Sequence, residues 1–187
     1  CAGCWPTASK LKTLTNPNNE RHPSMQLTPP RQGYREDLNL ALVIADSVDA
    51  LTMSRFQAVD LRVDTKPDMT PVSDADRAAE ELIREQLKRA RPRDAVTGEE
   101  FGYTGSGKRR WIIDPIDGTR AFISGLPVWG TLIGLYHKGR AVLGVMDQPF
   151  TGERYFADGT TSSYVGPGGP QTLATRECGG LGNATLF

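Results

Sequence analysis

The hydrophobic period changes at Arg91-Pro92, and that change restricts the fold more than any other feature of the chain. Before it, apolar residues recur at Leu38, Leu42, Ala45, Val48, Leu51 and Met53, the spacing of one helix face over residues 37–56. Glu36 and Asp37 suit the positive end of that helix dipole. Residues 61–64 read as a short extended piece, and 66–71 as a loop. Ser73 then caps a second helix running to about residue 90, with the acidic Asp76 three places on. Ala79, Leu82, Ile83 and Leu87 form its buried stripe. After the change, residues 95–97, 110–113, 128–136 and 141–146 are short runs rich in Val, Ile and aromatics, which predicts strands. Lys138-Gly139 predicts a hairpin between the last two, and Thr151-Gly152 another leading into 153–157. Helices followed by hairpin-linked strands imply an α+β fold with a mainly antiparallel sheet and helices on its faces. Residues 166–170 read as a loop in a region without clear pattern.

Lys+Arg and Asp+Glu are equal at 22 each in 187 residues, so no net charge draws the chain to nucleic acid or an anionic membrane. No apolar run approaches the roughly 20 residues that span a bilayer. Neither nucleic acid nor membrane is expected as a partner. Cys1, Cys4 and Cys178 are odd in number and do not read as a disulfide framework, which suits a reducing, cytoplasmic setting. Residues 1–33 are rich in Pro, Asn, Thr and Ser without a lasting hydrophobic period, and are expected to be a disordered leader. They contain neither a secretory core nor Arg-rich amphipathicity, and Met25 is a candidate start. Residues 34–187 are expected to form one domain, incomplete at its C-terminal end because the sequence stops inside an apolar segment.

Four acidic positions fall at junctions between regular elements and loops: Asp76, Glu99 with Glu100, Asp114 and Asp117. In Trp111-Ile112-Ile113-Asp114-Pro115-Ile116-Asp117-Gly118-Thr119 an apolar strand delivers Asp114, and Pro115 is expected to stop the ladder. Asp117 returns to the same side, and Gly118 lets a backbone N–H approach a ligand. A helix starting near Thr119 would aim free N–H groups at an anion. Such an Asp-x-x-Asp-Gly run is also how an ordinary turn satisfies its own backbone. The Gly98-Glu99-Glu100 loop at the end of a neighbouring strand favours a metal, since converging carboxylates repel unless a cation sits among them. Oxygen ligands select Mg²⁺, Mn²⁺ or Ca²⁺ over zinc. Asp76 is equally well read as a helix cap, Lys66 as a solvated loop lysine, and Trp129 as packing. His22 and His137 have no Ser or Cys nucleophile in a recognisable pattern, and Cys178 reads as inert.

Residues 111–119 resemble the metal-binding signature of the inositol monophosphatase superfamily. Gly98-Glu99-Glu100 is similar to its upstream glutamate motif, and Pro71-Val72-Ser73-Asp74-Ala75-Asp76 to its helix-opening motif. The likeness covers about residues 37–157 and implies a layered αβαβα sandwich, here its N-terminal part. Arg55-Phe56, Asp64-Thr65-Lys66-Pro67-Asp68 and Gly144-Val145-Met146-Asp147-Gln148-Pro149-Phe150 look most like the histidinol-phosphate phosphatase branch. That branch implies Mg²⁺-dependent hydrolysis of L-histidinol phosphate in histidine biosynthesis. The alternatives are an inositol-1-monophosphatase and an inactive metal-binding fragment. By the resemblance, Glu99, Asp114 and the Ile116 carbonyl would bind one Mg²⁺, while Asp114 and Asp117 would hold a second. Gly118 and Thr119, beside Asp117, would hold the substrate phosphate. Asp76 would pair with Thr119 and help Glu99 activate the attacking water. The family's later tryptophan–aspartate motif, another carboxylate for the second ion, does not occur before Phe187. A homodimer is expected for the full-length protein.

Overall fold

The computed structural model describes residues 34–185, so the leader expected over 1–33 lies outside the described residues. Helix α1 spans Arg35–Arg55 and buries Leu38, Ala41, Ile44, Ala45 and Val48. The short strands β1 (Val63–Thr65) and β2 (Pro71–Ser73) pair antiparallel as a ribbon of their own. Helix α2 (Asp74–Ala90) opens on the expected cap: Ser73 Oγ accepts the Asp76 N–H, and the Asp76 carboxylate accepts the Ser73 N–H. Strands β3 (Ala95–Gly98), β4 (Gly102–Thr104) and β5 (Arg109–Asp117) follow, then the single-turn helix α3 (Thr119–Ile123). Strands β6 (Gly130–His137), β7 (Arg140–Gln148), β8 (Glu153–Ala157), β9 (Ser162–Val165) and β10 (Gln171–Leu173) continue as a meander.

The large sheet has eight strands in the order β10-β9-β8-β7-β6-β5-β3-β4. It is antiparallel except where β3 and β5 lie side by side in parallel. The exception arises because β4 folds back along the outer edge of β3, so β5 enters on the inner edge running the same way as β3. The α+β expectation holds, and so does the mainly antiparallel sheet.

Alternation along the central strands sends Trp111, Ile113, Ile133, Leu135, Leu143 and Val145 into one core with Ala41, Ile44, Val48, Ala79, Ile83 and Leu87. Alanines on both helices let their backbones approach closely. Both long helices, α1 and α2, pack together on the same face of the sheet. Their apolar stripes match the inward residues, whereas Ile112, Tyr136 and Met146 on the other face are partly exposed. Arg154 ties α1 to the sheet through Asp46 (2.7 Å), Asp49 (3.0 Å) and the buried Asp147 (2.6 Å). A second cluster of Ala75, Ile116, Phe122 and Trp129 packs α3 against the start of α2. No helix among the described residues is long and apolar enough to cross a membrane.

Candidate metal centre

The parallel pairing sets Gly98 of β3 opposite Ile113 of β5, so Glu99, just past the end of β3, comes beside Asp114 within β5. Pro115 was expected to end the ladder. Instead β5 continues to Asp117 through a bulge, with Asp114 opposite Leu132 and Asp117 opposite Gly130. A bulge tolerates a proline that a regular central ladder would reject, because the extra residue needs no paired N–H. It also has a geometric effect. Leu132 and Gly130 are two places apart, hence on one face, and the inserted residue brings Asp114 and Asp117 onto that same face. Gly118 then adopts φ 97°, ψ 38° and turns the chain into α3. A Cβ there would also come within 3.1 Å of the Val128 carbonyl oxygen, so glycine is required on both counts.

Asp76 is buried and spans two elements. One carboxylate oxygen accepts the Ser73 N–H (2.8 Å) and hydroxyl, and the other accepts Thr119 Oγ1–H at 3.0 Å. The cap and the contact to Thr119 therefore use different oxygens of one side chain. Thr119 Oγ1 also lies 3.3 Å from the Ile116 carbonyl oxygen.

The electrostatics show how close the acidic groups stand. Burial, then the charges of Glu99 and Asp117, push the Asp114 carboxyl up from 3.8 to about 7. Lys66, read from sequence as a solvated loop residue, is mostly buried and bonds both Glu99 Oε1 and Glu100 Oε1 at 2.8 Å. Burial works against its charge, but the hydrogen bonds to Glu100 and Glu99 hold its pKa above the ordinary lysine value. Burial raises the Glu100 carboxyl, with Lys66 opposing. Among the described residues no three Asp, Glu, His or Cys side chains close around a common point. Glu99 reaches toward Lys66, and although Asp114 feels the charges of Glu99 and Asp117, the expected trio does not gather into a metal cage among the described residues. The donors nonetheless fit a hard divalent cation, being all oxygen and carrying mutual repulsion that such a cation would relieve.

Of the remaining residues singled out from the sequence, Trp129 packs beside Ile116 and Gly118. Trp129 is buried against Phe56 and Phe122, as packing requires. His137 Nδ1 lies 2.6 Å from the Tyr34 hydroxyl, and Cys178 is exposed. A recess of about 460 Å³ lined by Gln57, Leu61, Val63 and Ile123 includes none of the carboxylates. Glu80, unmarked by any sequence signal, is fully buried behind the Gly98-Glu99-Glu100 loop.

The α+β architecture and the order of these motifs accord with a likeness across most of the chain: it belongs to the inositol monophosphatase family, whose description matches residues 34–186. Among its relatives, a histidinol-phosphatase of Streptomyces coelicolor is 56% identical over 137 residues, covering 71% of this chain and 52% of the relative. A histidinol-phosphatase of Mycobacterium tuberculosis is 46% identical over 157 residues, covering 81% and 59%. The solved inositol monophosphatase of Zymomonas mobilis superposes with a TM-score of 0.64 at 40% identity, covering 79% of this chain and 56% of that one. The chain thus spans about half the length of the curated relatives it matches.

Proposed function

We propose that this chain supplies the metal-binding half of a Mg²⁺-dependent phosphomonoesterase whose substrate is L-histidinol phosphate, in a cytoplasmic histidine-biosynthetic role. The observation that carries the chemistry is the placement of Asp114 near Glu99 and Asp117, whose charges add to burial in raising its carboxyl to about 7. The identity of 56% to a histidinol-phosphatase supports the substrate.

Bound divalent cations would supply charge neutralisation and a water of lowered pKa for in-line displacement at phosphorus. Glu99, Asp114, Asp117 and the Ile116 carbonyl would hold them. Thr119 is oriented by Asp76, whose own position is fixed by the Ser73 cap, so a proton leaving the Thr119 side has a buried carboxylate to receive it. The left-handed Gly118 presents the first N–H groups of α3, which have no partners within the helix, to a phosphate. Lys66 balances the carboxylates when no cation is bound.

A second reading, hydrolysis of inositol 1-phosphate, is favoured by the likeness to the Zymomonas mobilis inositol monophosphatase. Phosphate release from L-histidinol phosphate and inositol 1-phosphate, with Mg²⁺ and with EDTA, separates the two. Preference for the inositol ester would overturn the substrate assignment. Mg²⁺ binding by the 187-residue chain without turnover of either ester would mark it as a metal-binding half that needs further sequence.

A further inference from the structure

We propose that Glu80 is a positioning residue: its buried carboxylate grips the backbone just past Glu99 and so sets the spacing between Glu99 and Asp114. The proposal rests on the reading of Glu99 as a cation ligand. Glu80 lies on the buried stripe of α2 between Ala79 and Ile83 and is fully buried. A carboxylate in that position is costly unless its oxygens are bonded. Oε2 accepts the Glu100 N–H at 2.7 Å, and Oε1 accepts the Phe101 N–H at 3.1 Å and Arg84 Nε–H at 2.7 Å. Two of the three donors are thus main-chain groups of the residues that follow Glu99. Arg84 extends the grip with its other nitrogens, donating to the Gly102 carbonyl and to Thr104 Oγ1 (2.9 Å).

Gly98 gives an independent observation. Its φ lies outside the left-handed region, so backbone freedom does not explain the glycine. A Cβ there would fall inside the Glu80 carboxylate, which three hydrogen bonds hold in place. The loop is therefore fixed on both sides of Glu99. The parallel ladder to Ile113 holds Gly98, and Glu80 holds Glu100 and Phe101. Because Asp114 follows Ile113 directly, Glu80 sets where Glu99 stands relative to Asp114 without touching either carboxyl group.

The test uses the 187-residue chain, with calorimetric titration of Mg²⁺ and amide hydrogen exchange at Glu100 and Phe101. Glu80→Gln keeps the side-chain volume but turns an NH₂ toward main-chain donors. It is expected to lose protection at those two amides and to weaken Mg²⁺ roughly 10–100-fold, the usual loss when a group supporting a ligand is removed. Val48→Ala, a core truncation away from the loop, is expected to leave Mg²⁺ affinity unchanged although it lowers stability. If Glu80→Gln does not fold, Gly98→Ala with Glu80→Ala removes both the clash and the grip. That double variant is expected to fold and still bind Mg²⁺ weakly. Wild-type Mg²⁺ affinity in a folded Glu80→Gln or in the double variant overturns the proposal, as does unchanged amide protection in Glu80→Gln. Absence of Mg²⁺ binding by the wild-type chain overturns the cation reading itself, a result distinct from lost affinity in the variant.

Discussion

Replacing Asp114 by Asn should stabilise the cation-free protein at alkaline pH while removing its response to Mg²⁺. Asp114 titrates near 7 in the folded chain, above its ordinary 3.8, because burial and the charges of Glu99 and Asp117 disfavour ionisation. Between those values the folded state holds a proton that the unfolded state has released. Stability therefore falls as pH rises from about 3.8 to about 7 and is level beyond. The rise from 3.8 to about 7 corresponds to a ceiling of roughly 4 kcal/mol. Asp114 is only partly buried, so solvent screening brings the expected gain to about 1–2 kcal/mol at pH 8. For a domain of this size that is a rise in Tm of roughly 2–8 °C. The assay is thermal unfolding at pH 5 and pH 8, each in EDTA and in excess Mg²⁺. The Asn variant should exceed the wild type in EDTA, by more at pH 8 than at pH 5, and gain nothing from Mg²⁺. A lower Tm for the variant at pH 8 in EDTA, or an unchanged Mg²⁺ response, would refute the idea that Asp114 carries the repulsion and binds the cation.

Two further expectations concern different residues. Thr119→Ala removes the hydroxyl held 3.0 Å from Asp76 and should lower kcat of the catalytically competent protein roughly 100-fold, with a much smaller change in KM. An unchanged kcat in steady-state phosphate release would make Thr119 purely structural. Arg154→Met strips the cation from Asp46, Asp49 and the buried Asp147 and should cost about 3 kcal/mol in urea unfolding. The loss should grow between pH 5 and pH 8, since burial and Asp147 raise Asp49 to about 7 and a proton there relieves the repulsion only at the lower pH. A pH-independent loss would count against this account.

What could be read from the amino-acid sequence was local. Ser73 and Asp76 are three residues apart and cap one helix, so their pattern and their structure coincide. The acidic run after Trp111 likewise kept its two aspartates on one side. Its mechanism differed, because Pro115 has two outcomes in a strand and only the pairing with β6 selects the bulge. The parallel β3–β5 pair was hidden because β4, three residues of Gly, Tyr and Thr, carries too little pattern to announce a strand. Lys66 and Glu80 were missed for a related reason. Their partners lie 33 and 20 residues away, and neither period nor spacing links them to Glu99 or Glu100.

The extra residue in β5 makes this site depend on chain length as well as on side-chain identity. Apolar substitutions at Ile116 that fit its buried cluster would keep the backbone path, since it is the carbonyl that faces Thr119. Losing one amino acid between Asp114 and Asp117 would instead remove the bulge. The two aspartates would stay on one face, at the two-residue spacing of Leu132 and Gly130, but the bend and added twist that carry the chain into Gly118 would go. The carbonyl facing Thr119 would be drawn into a regular ladder, so single-codon deletions should displace the main-chain groups of the site while sparing the facing of its carboxylates.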